Sequence, residues 1–268
     1  MNWISVIFLM IVAQLLELDT QAIDFVLAFP QAELEVPVYM ELPAGMDLAG
    51  HRKDSSRYLL KLKRSLYGLK QASMNWYCKL KTAFEDRGFV ESLSDPCLFI
   101  SKDMIILVYV DDCILISNEA LVIQNFISSL KAGTEDFVFT EEGTINLYLG
   151  VDMSPFPDKK DFILSQPFLI DRIIQALNFD PKTIKCATNN TPAGYPLLNK
   201  DENGSARKAS WKYRGIIGML VYLQGTTRPD IARATHQCAR FNNDPHLSHE
   251  RAVKRIGRYL VDTRDKGL

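Results

Sequence analysis

The apolar runs 104–110 (MIILVYV) and 113–117 (CILIS) are interrupted only by Asp111-Asp112, and nothing else in this chain of 268 residues constrains its fold as strongly. β-Branched and large apolar residues favour extended backbone, and two such runs joined by two turn-prone residues read as a β-hairpin. The flanking strands anchor the tip, so its carboxylates are held rigidly. Strand alternation then points Tyr109 and Asp111 to one side and Asp112 to the other. Two unit charges about 4 Å apart interact by roughly 4 kcal/mol at an effective dielectric of about 20. A bound cation would relieve that repulsion; alternatively, Asp-Asp is simply good turn chemistry.

A third acid bears on the choice. Asp24 interrupts the apolar run 21–29 (QAIDFVLAF), which reads as a strand, and an unpaired charge inside such a strand is costly. A neighbouring central strand of the same sheet brings Asp24 beside the hairpin tip. Three carboxylates there form a site for two divalent ions, Mg2+ or Mn2+, which favour hard oxygen ligands. Two metals about 3.5–4 Å apart activate a 3′-hydroxyl and stabilise leaving pyrophosphate, which is nucleotidyl transfer.

The rest of the chain reads as α+β followed by a small helical part. Further strands are expected at 36–42, 59–62, 98–100, 137–140 and 147–153, and helices at 71–89, 119–131, 168–177, 213–224, 230–241 and 249–259. A Pro-, Asn-, Gly- and Thr-rich stretch between about 180 and 210 marks a linker or surface loop. The 47% apolar and 24% charged composition is that of a globular protein, which sets disorder aside. Residues 1–50 carry acids and no Lys or Arg, whereas 51–87 and the segment from Arg207 are basic. That pattern suits a polyanion held at its edges and a cation at the centre, or ordinary solvated charge. Five cysteines without a CxxC pair fit a reducing compartment and exclude a zinc ribbon. His246 and His249 are spaced for a metal or for a helix-surface pair, the latter favoured in the absence of further ligands nearby. Residues 1–16 are apolar but too short to span a bilayer and lack a basic n-region, so they read as a buried helix rather than a targeting segment.

Asp24 within DFVLAF, the segment 66–72 (LYGLKQA) with Trp76, and Tyr109-Val110-Asp111-Asp112 resemble, in order, the A, B and C motifs of copia-type retrotransposon reverse transcriptases. Tyr148-Leu149-Gly150-Val151 resembles their primer grip. Leu164-Ser165-Gln166 resembles the start of the thumb, and Thr227-Arg228-Pro229-Asp230 the segment leading towards ribonuclease H. The resemblance implies a right-hand polymerase palm, an antiparallel sheet with helices on one face and partial fingers, over 1–165. A helical thumb/connection-like region follows over 166–268. It implies RNA-directed DNA polymerase activity, with Asp24 and Asp111 as main metal ligands and Asp112 assisting. Phe29 would be an aromatic steric gate against a ribose 2′-hydroxyl, its alternative being a core ring. Gln71 would contact the nucleotide, where without the family it reads as a helix cap. Lys70 would attract phosphate, and Tyr109, Tyr148 and Gly150 would contact primer and template. Implied partners are an RNA template, a DNA primer, deoxynucleoside triphosphates and the integrase and ribonuclease H of a Pol polyprotein. The implied setting is intracellular, in cytoplasm or virus-like particles, with no membrane contact.

The sequence departs from that family at its start. About twenty residues precede Asp24 and none is Lys or Arg, where the family has a longer fingers region with basic residues that hold the triphosphate. The expectation is a polymerase part truncated at both ends, with a folded, non-catalytic remnant that binds nucleic acid as the alternative.

Overall fold

The computed structural model describes residues 3–43, 46, 58–143, 145, 147–155, 162–179, 198–201, 203–208 and 210–268. It divides into two compact units, Met1–Ile145 and Asn146–Leu268.

The first unit runs α1 (Trp3–Leu15), β1 (Asp19–Phe25), β2 (Tyr39–Glu41), β3 (Leu59–Lys61), α2 (Ala72–Glu85), β4 (Val90–Glu91), β5 (Leu98–Ile100), β6 (Met104–Tyr109), β7 (Asp112–Ser117), α3 (Ala120–Ala132) and β8 (Phe139–Gly143). Six strands form one antiparallel sheet in the order β4-β5-β6-β7-β1-β8, and β2 pairs with β3 separately. The expected hairpin is β6–β7, but its turn lies one residue earlier than the sequence suggests. Val110 and Asp111 make the turn, and Tyr109 pairs with Asp112.

Alternation sorts the central strands onto two faces. Ile106 and Val108 of β6, Cys113 and Leu115 of β7, and Ile23 and Phe25 of β1 share one core with α2 and α3. The helices meet that core through residues at helical spacing: Trp76, Leu80 and Phe84 on α2, and Ile123, Ile127 and Leu130 on α3. Leu107, Ile114 and Ile116 point the other way and are buried as well. The expected N-terminal helix forms but is only half-buried, with Val6, Leu9, Met10 and Ala13 covered and Ile4, Phe8, Ile11 and Leu15 exposed; it is tied down where the Ser5 hydroxyl donates to Asp95 at 2.8 Å. No helix among the described residues is long and apolar enough to cross a membrane.

The second unit begins with a three-stranded antiparallel sheet, β9 (Leu147–Tyr148), β10 (Val151–Pro155) and β11 (Phe162–Ser165). The sequence reading groups these strands with the first part; here they belong with the helices that follow. A single strand over 147–153 is also replaced by two, because Leu149 and Gly150 turn the chain at φ 50° and 76°. Then come α4 (Pro167–Ala176), α5 (Tyr213–Thr226), α6 (Ala232–Ala239) and α7 (Leu247–Asp262). They enclose Ile170, Ile173, Leu220, Leu223, Val253 and Leu260. The linker expected between 180 and 210 lies largely outside the described residues, as do Cys186 and the greater part of the connector before Tyr58.

Two polar features of this unit have structural explanations. His246 caps α7: its backbone N–H donates to His249 Nδ1 at 2.9 Å, and both rings also engage backbone carbonyls, of Gly204 and Asn199. The pair is a helix cap, not a metal site. Arg228 is 1% exposed, and Nε and Nη2 donate to Asp230 at 2.9 and 2.8 Å. Nη1 and Nη2 also reach the Thr263 carbonyl and hydroxyl, each at 2.7 Å. The guanidinium thus staples the turn after α5 to the end of α7.

Burial pushes the Asp230 carboxyl up, but bonds from Arg228 and Tyr259 outweigh it and hold the group below its usual range. The staple therefore stabilises above about pH 4 and fades as Asp230 protonates below it. Arg228→Met is expected to cost about 2–3 kcal/mol at pH 7, less than for a fully buried pair because Asp230 is partly exposed. Urea denaturation of both proteins from pH 7 to pH 3 should show the gap narrowing at the acid end.

Candidate active site

Register brings the three acids together. β1 lies antiparallel to β7, and Asp24 stands directly opposite Asp112. Residues directly opposite share a face, with Cβ atoms about 4.5–5.5 Å apart. Because Tyr109 also pairs with Asp112, Tyr109, Asp112 and Asp24 lie on the side away from the α2–α3 core. This corrects the alternation expected from sequence, which set Tyr109 and Asp112 on opposite sides. Asp111 occupies the turn, its carbonyl accepting the Phe25 N–H at 2.9 Å, so the tip is stitched to the end of β1.

The tip is also held from below. Trp76, 2% exposed in the core, donates its indole N–H to the Val110 carbonyl at 2.5 Å. Val110 has φ 59°, left-handed backbone that a β-branched residue rarely adopts. Such a residue carries strain on the order of 1–3 kcal/mol and persists only where surrounding contacts impose it. The indole bond and the β6–β7 ladder impose it here.

The cluster is electrostatically unbalanced. Burial, then Asp111, Asp24 and Glu142, push the Asp112 carboxyl up to about 6. Asp24 is raised by burial, then by Asp111 and Glu142. Among the described residues no cation contributes to either shift. Beneath them the Cys113 thiol is pushed well up, by its burial first and then by the three aspartates. Glu142 escaped the sequence reading. It follows Thr140, the β8 partner of Asp24, by the two residues that return a side chain to the same face, and it accepts the Thr140 hydroxyl at 3.1 Å. Only the β1–β8 register reveals it.

The acids at this face offer carboxylate oxygens, the ligand type that hard divalent ions take, so the residues fit such ions chemically. Among the described residues no three His, Cys, Asp or Glu side chains are gathered as a ready metal shell.

Phe29 opens a short 3-10 turn, Phe29–Gln31, a few residues beyond Asp24. Its half-buried ring packs on the core edge and lies 4.8 Å from that of Tyr67, joining the two segments quoted above from either side of β2–β3. Gln71 stands at the start of α2 but makes no capping bond, leaving its amide for another partner. Lys70 is exposed, as is Tyr109 at 43%. Tyr148 and Gly150 belong to the second unit, Tyr148 buried and Gly150 exposed on the β9–β10 turn.

Part of the basic stretch 51–87 is engaged within the protein. Lys79 donates to the Gln31 and Glu135 carbonyls, Lys81 pairs with Glu91, and Arg87 grips Glu135. Lys61, Lys63 and Lys70 remain exposed there, with Arg251 and Arg258 on α7.

The chain is similar to known proteins. A family model described as reverse transcriptase (RNA-dependent DNA polymerase) matches residues 2–193. The retrovirus-related Pol polyprotein of transposon TNT 1-94 from Nicotiana tabacum is 32% identical over 92% of this chain, and that of transposon RE1 from Arabidopsis thaliana 34% over 90%. The chain spans only 19% and 16% of those polyproteins. A putative transposon Ty5-1 protein of Saccharomyces cerevisiae is 25% identical over 90% of the chain, which here spans 76% of the relative. With the three motif segments in family order and the acids of the first and last brought to adjacent strands, the chain belongs to the reverse transcriptase family, as the copia-type Pol polyproteins do.

Proposed function

We propose that this chain is the polymerase module of a copia-type Pol protein, an RNA-directed DNA polymerase that works by two-metal nucleotidyl transfer. The observation that carries this reading is the alignment of Asp24 with Asp112 beside a tip whose acids have no cationic neighbour among the described residues. In this reading the six-stranded sheet with α2 and α3 is the palm, β2–β3 belongs to the fingers, and the second unit supplies thumb and connection.

Asp24 and Asp111 would hold two Mg2+ or Mn2+ ions, with Asp112 assisting. When bound, the ions supply Lewis acidity to the attacking 3′-hydroxyl and to the leaving pyrophosphate. The protein's part is positional. The strained Val110 turn and the Trp76 bond hold Asp111 at a fixed height above the sheet. The exposed Tyr109 ring offers a platform for the primer end. The Phe29 ring, backed by Tyr67, takes the space a ribose 2′-hydroxyl would need, and the uncommitted Gln71 amide faces the nucleotide. RNA template and DNA primer are gripped through phosphate and sugar by the exposed lysines and arginines, so binding is salt-sensitive and tolerant of sequence. Gly150 and Tyr148 of the second unit would contact primer and template, a role that rests on the resemblance to the family.

Purified protein with Mn2+ and a primed RNA template is expected to extend the primer with deoxynucleotides, and Asp111→Asn to reduce extension at least about a thousandfold. Hybrid binding without extension by the unaltered chain would identify a non-catalytic remnant instead. Phe29→Val is expected to raise ribonucleotide incorporation by roughly tenfold or more in the same assay.

A carboxyl raised in the folded state stabilises below its unfolded pKa of about 4, and the contribution is lost as pH rises through about 6. Asp112→Asn removes that loss. After allowance for solvent screening, the metal-free variant should exceed the parent by about 1 kcal/mol at pH 7. Thermal melts from pH 4 to pH 7 should show that advantage only above about pH 4, and added Mn2+ should raise the parent's melting temperature more than the variant's.

A further inference from the structure

Gln31 is a polar side chain only 7% exposed, and its amide makes three hydrogen bonds to the backbone of two residues. Its Nε2 donates to the Val26 carbonyl at 2.7 Å and to the Val138 carbonyl at 2.8 Å, and its Oε1 accepts the Val138 N–H at 2.9 Å. The Gln31 backbone is fixed as firmly. Its N–H donates to the Ala28 carbonyl at 3.0 Å, and its own carbonyl accepts Arg64 Nη1 at 3.0 Å and Lys79 Nζ at 2.9 Å.

These bonds close the segment 26–31 into a loop, because the side chain at its end returns to the carbonyl at its beginning. Phe29 lies between the two anchor points. The loop does not hold itself: Leu27 sits at φ 52°, a conformation disfavoured for a leucine, and the turn after it is a single 3-10 turn. Asp24 is secured separately, being paired on one side with β7 and on the other with β8. Loss of the Gln31 bonds therefore frees Phe29 while leaving Asp24 in place.

We propose that Gln31 is a positioning residue that fixes the Phe29 ring against Tyr67 and thereby sets the preference for deoxynucleotides over ribonucleotides. This rests on the polymerase reading above for its consequence, though not for its geometry. Leu at position 31 makes none of the three side-chain bonds. Glu keeps the size but sets a carboxylate against two carbonyl oxygens. An amide that only filled space would tolerate Leu, and an amide that only stabilised the fold would affect both classes of nucleotide alike.

The test uses the full chain with Gln31→Leu, Gln31→Glu and Tyr67→Leu, the last at an exposed position that leaves the core intact. Primer extension is measured with deoxynucleoside and ribonucleoside triphosphates in turn. Both Gln31 variants should lose about tenfold or more of the discrimination in kcat/KM while deoxynucleotide kcat stays within roughly threefold. In parallel, 4-fluorophenylalanine is placed at position 29. A single narrow fluorine resonance in the parent should broaden or split in the Gln31 variants and shift in Tyr67→Leu. An unchanged resonance in folded Gln31 variants would overturn the proposal. A disordered ring with unaltered discrimination in an active enzyme would overturn the link to sugar choice. Failure of the unaltered chain to extend any primer would count against the polymerase reading alone, and the resonance would still decide the positioning.

Discussion

The pairing of β1 with β7 is the constraint on which the rest of the site depends. It sets a strand whose core-facing residues are Ile23 and Phe25 against one whose core-facing residues are Cys113 and Leu115. A slip by one residue would turn Phe25 to the other face and Asp24 into the core, so the hydrophobic pattern itself forbids the alternatives. The burial that fixes the core face thus fixes which acids meet on the other. In a single continuous sheet, the separation between positions 24 and 112 along the chain collapses to the spacing of neighbouring strands.

That placement costs stability. Asp24, Asp111, Asp112 and Glu142 repel one another, Val110 is held in a conformation unsuited to valine, and Cys113 lies beneath with its thiol strongly favoured. A chain selected for stability alone would have Asn or Gly at such a turn, where left-handed backbone is tolerated. Uncompensated charge and backbone strain at one spot, over an otherwise close-packed aromatic core, mark where folding and chemistry conflict. The core supplies the offset. Phe25 meets Trp76 edge-on at 5.1 Å, and the Trp76 indole reaches the strained turn directly.

Much of this was legible in the sequence because it rests on local pattern. The hairpin, the strand bearing Asp24, the amphipathic α2 and the helical C-terminal part follow from periodicities of two and 3.6. The turn lies one residue earlier than local chemistry suggests, since Asp-Asp is better turn chemistry than Val-Asp, and the indole bond from Trp76, remote in sequence, overrides that preference together with the β6–β7 ladder. Glu142 was invisible for a related reason: β8 joins β1 with a register irregularity between Ala22 and Ile23, which no local pattern announces. The basic stretch 51–87 suggested one continuous contact surface. Composition cannot tell a lysine that braces a carbonyl, such as Lys79, from one that faces solvent, such as Lys63. The grouping of residues 147–165 with the sheet was a matter of chain order, and tertiary contact assigns those strands to the helical unit.

Gln31 shows how a site can divide its labour between sheet and loop. Asp24 and Asp112 take fixed positions from the sheet, through hydrogen bonds on both sides of β1. Phe29 lies beyond the end of β1, where no ladder reaches. The chain leaves the sheet at Leu27 and needs a substitute for the lost ladder, and an amide, with N–H donors and a carbonyl acceptor on one group, can bond one carbonyl and both the N–H and the C=O of a second residue at once. Burial makes the arrangement exacting, since a donor left unpaired there costs about 1–3 kcal/mol. The Gln31 carbonyl then needs partners of its own, and Arg64 and Lys79 meet it from outside the loop. Burial, then the nearby Arg64, lower the pKa of Lys79, whose ammonium is kept in place by the Gln31 and Glu135 carbonyls over the Phe137 ring. Positive charge that composition alone would assign to nucleic acid is thereby committed to holding the loop that follows β1.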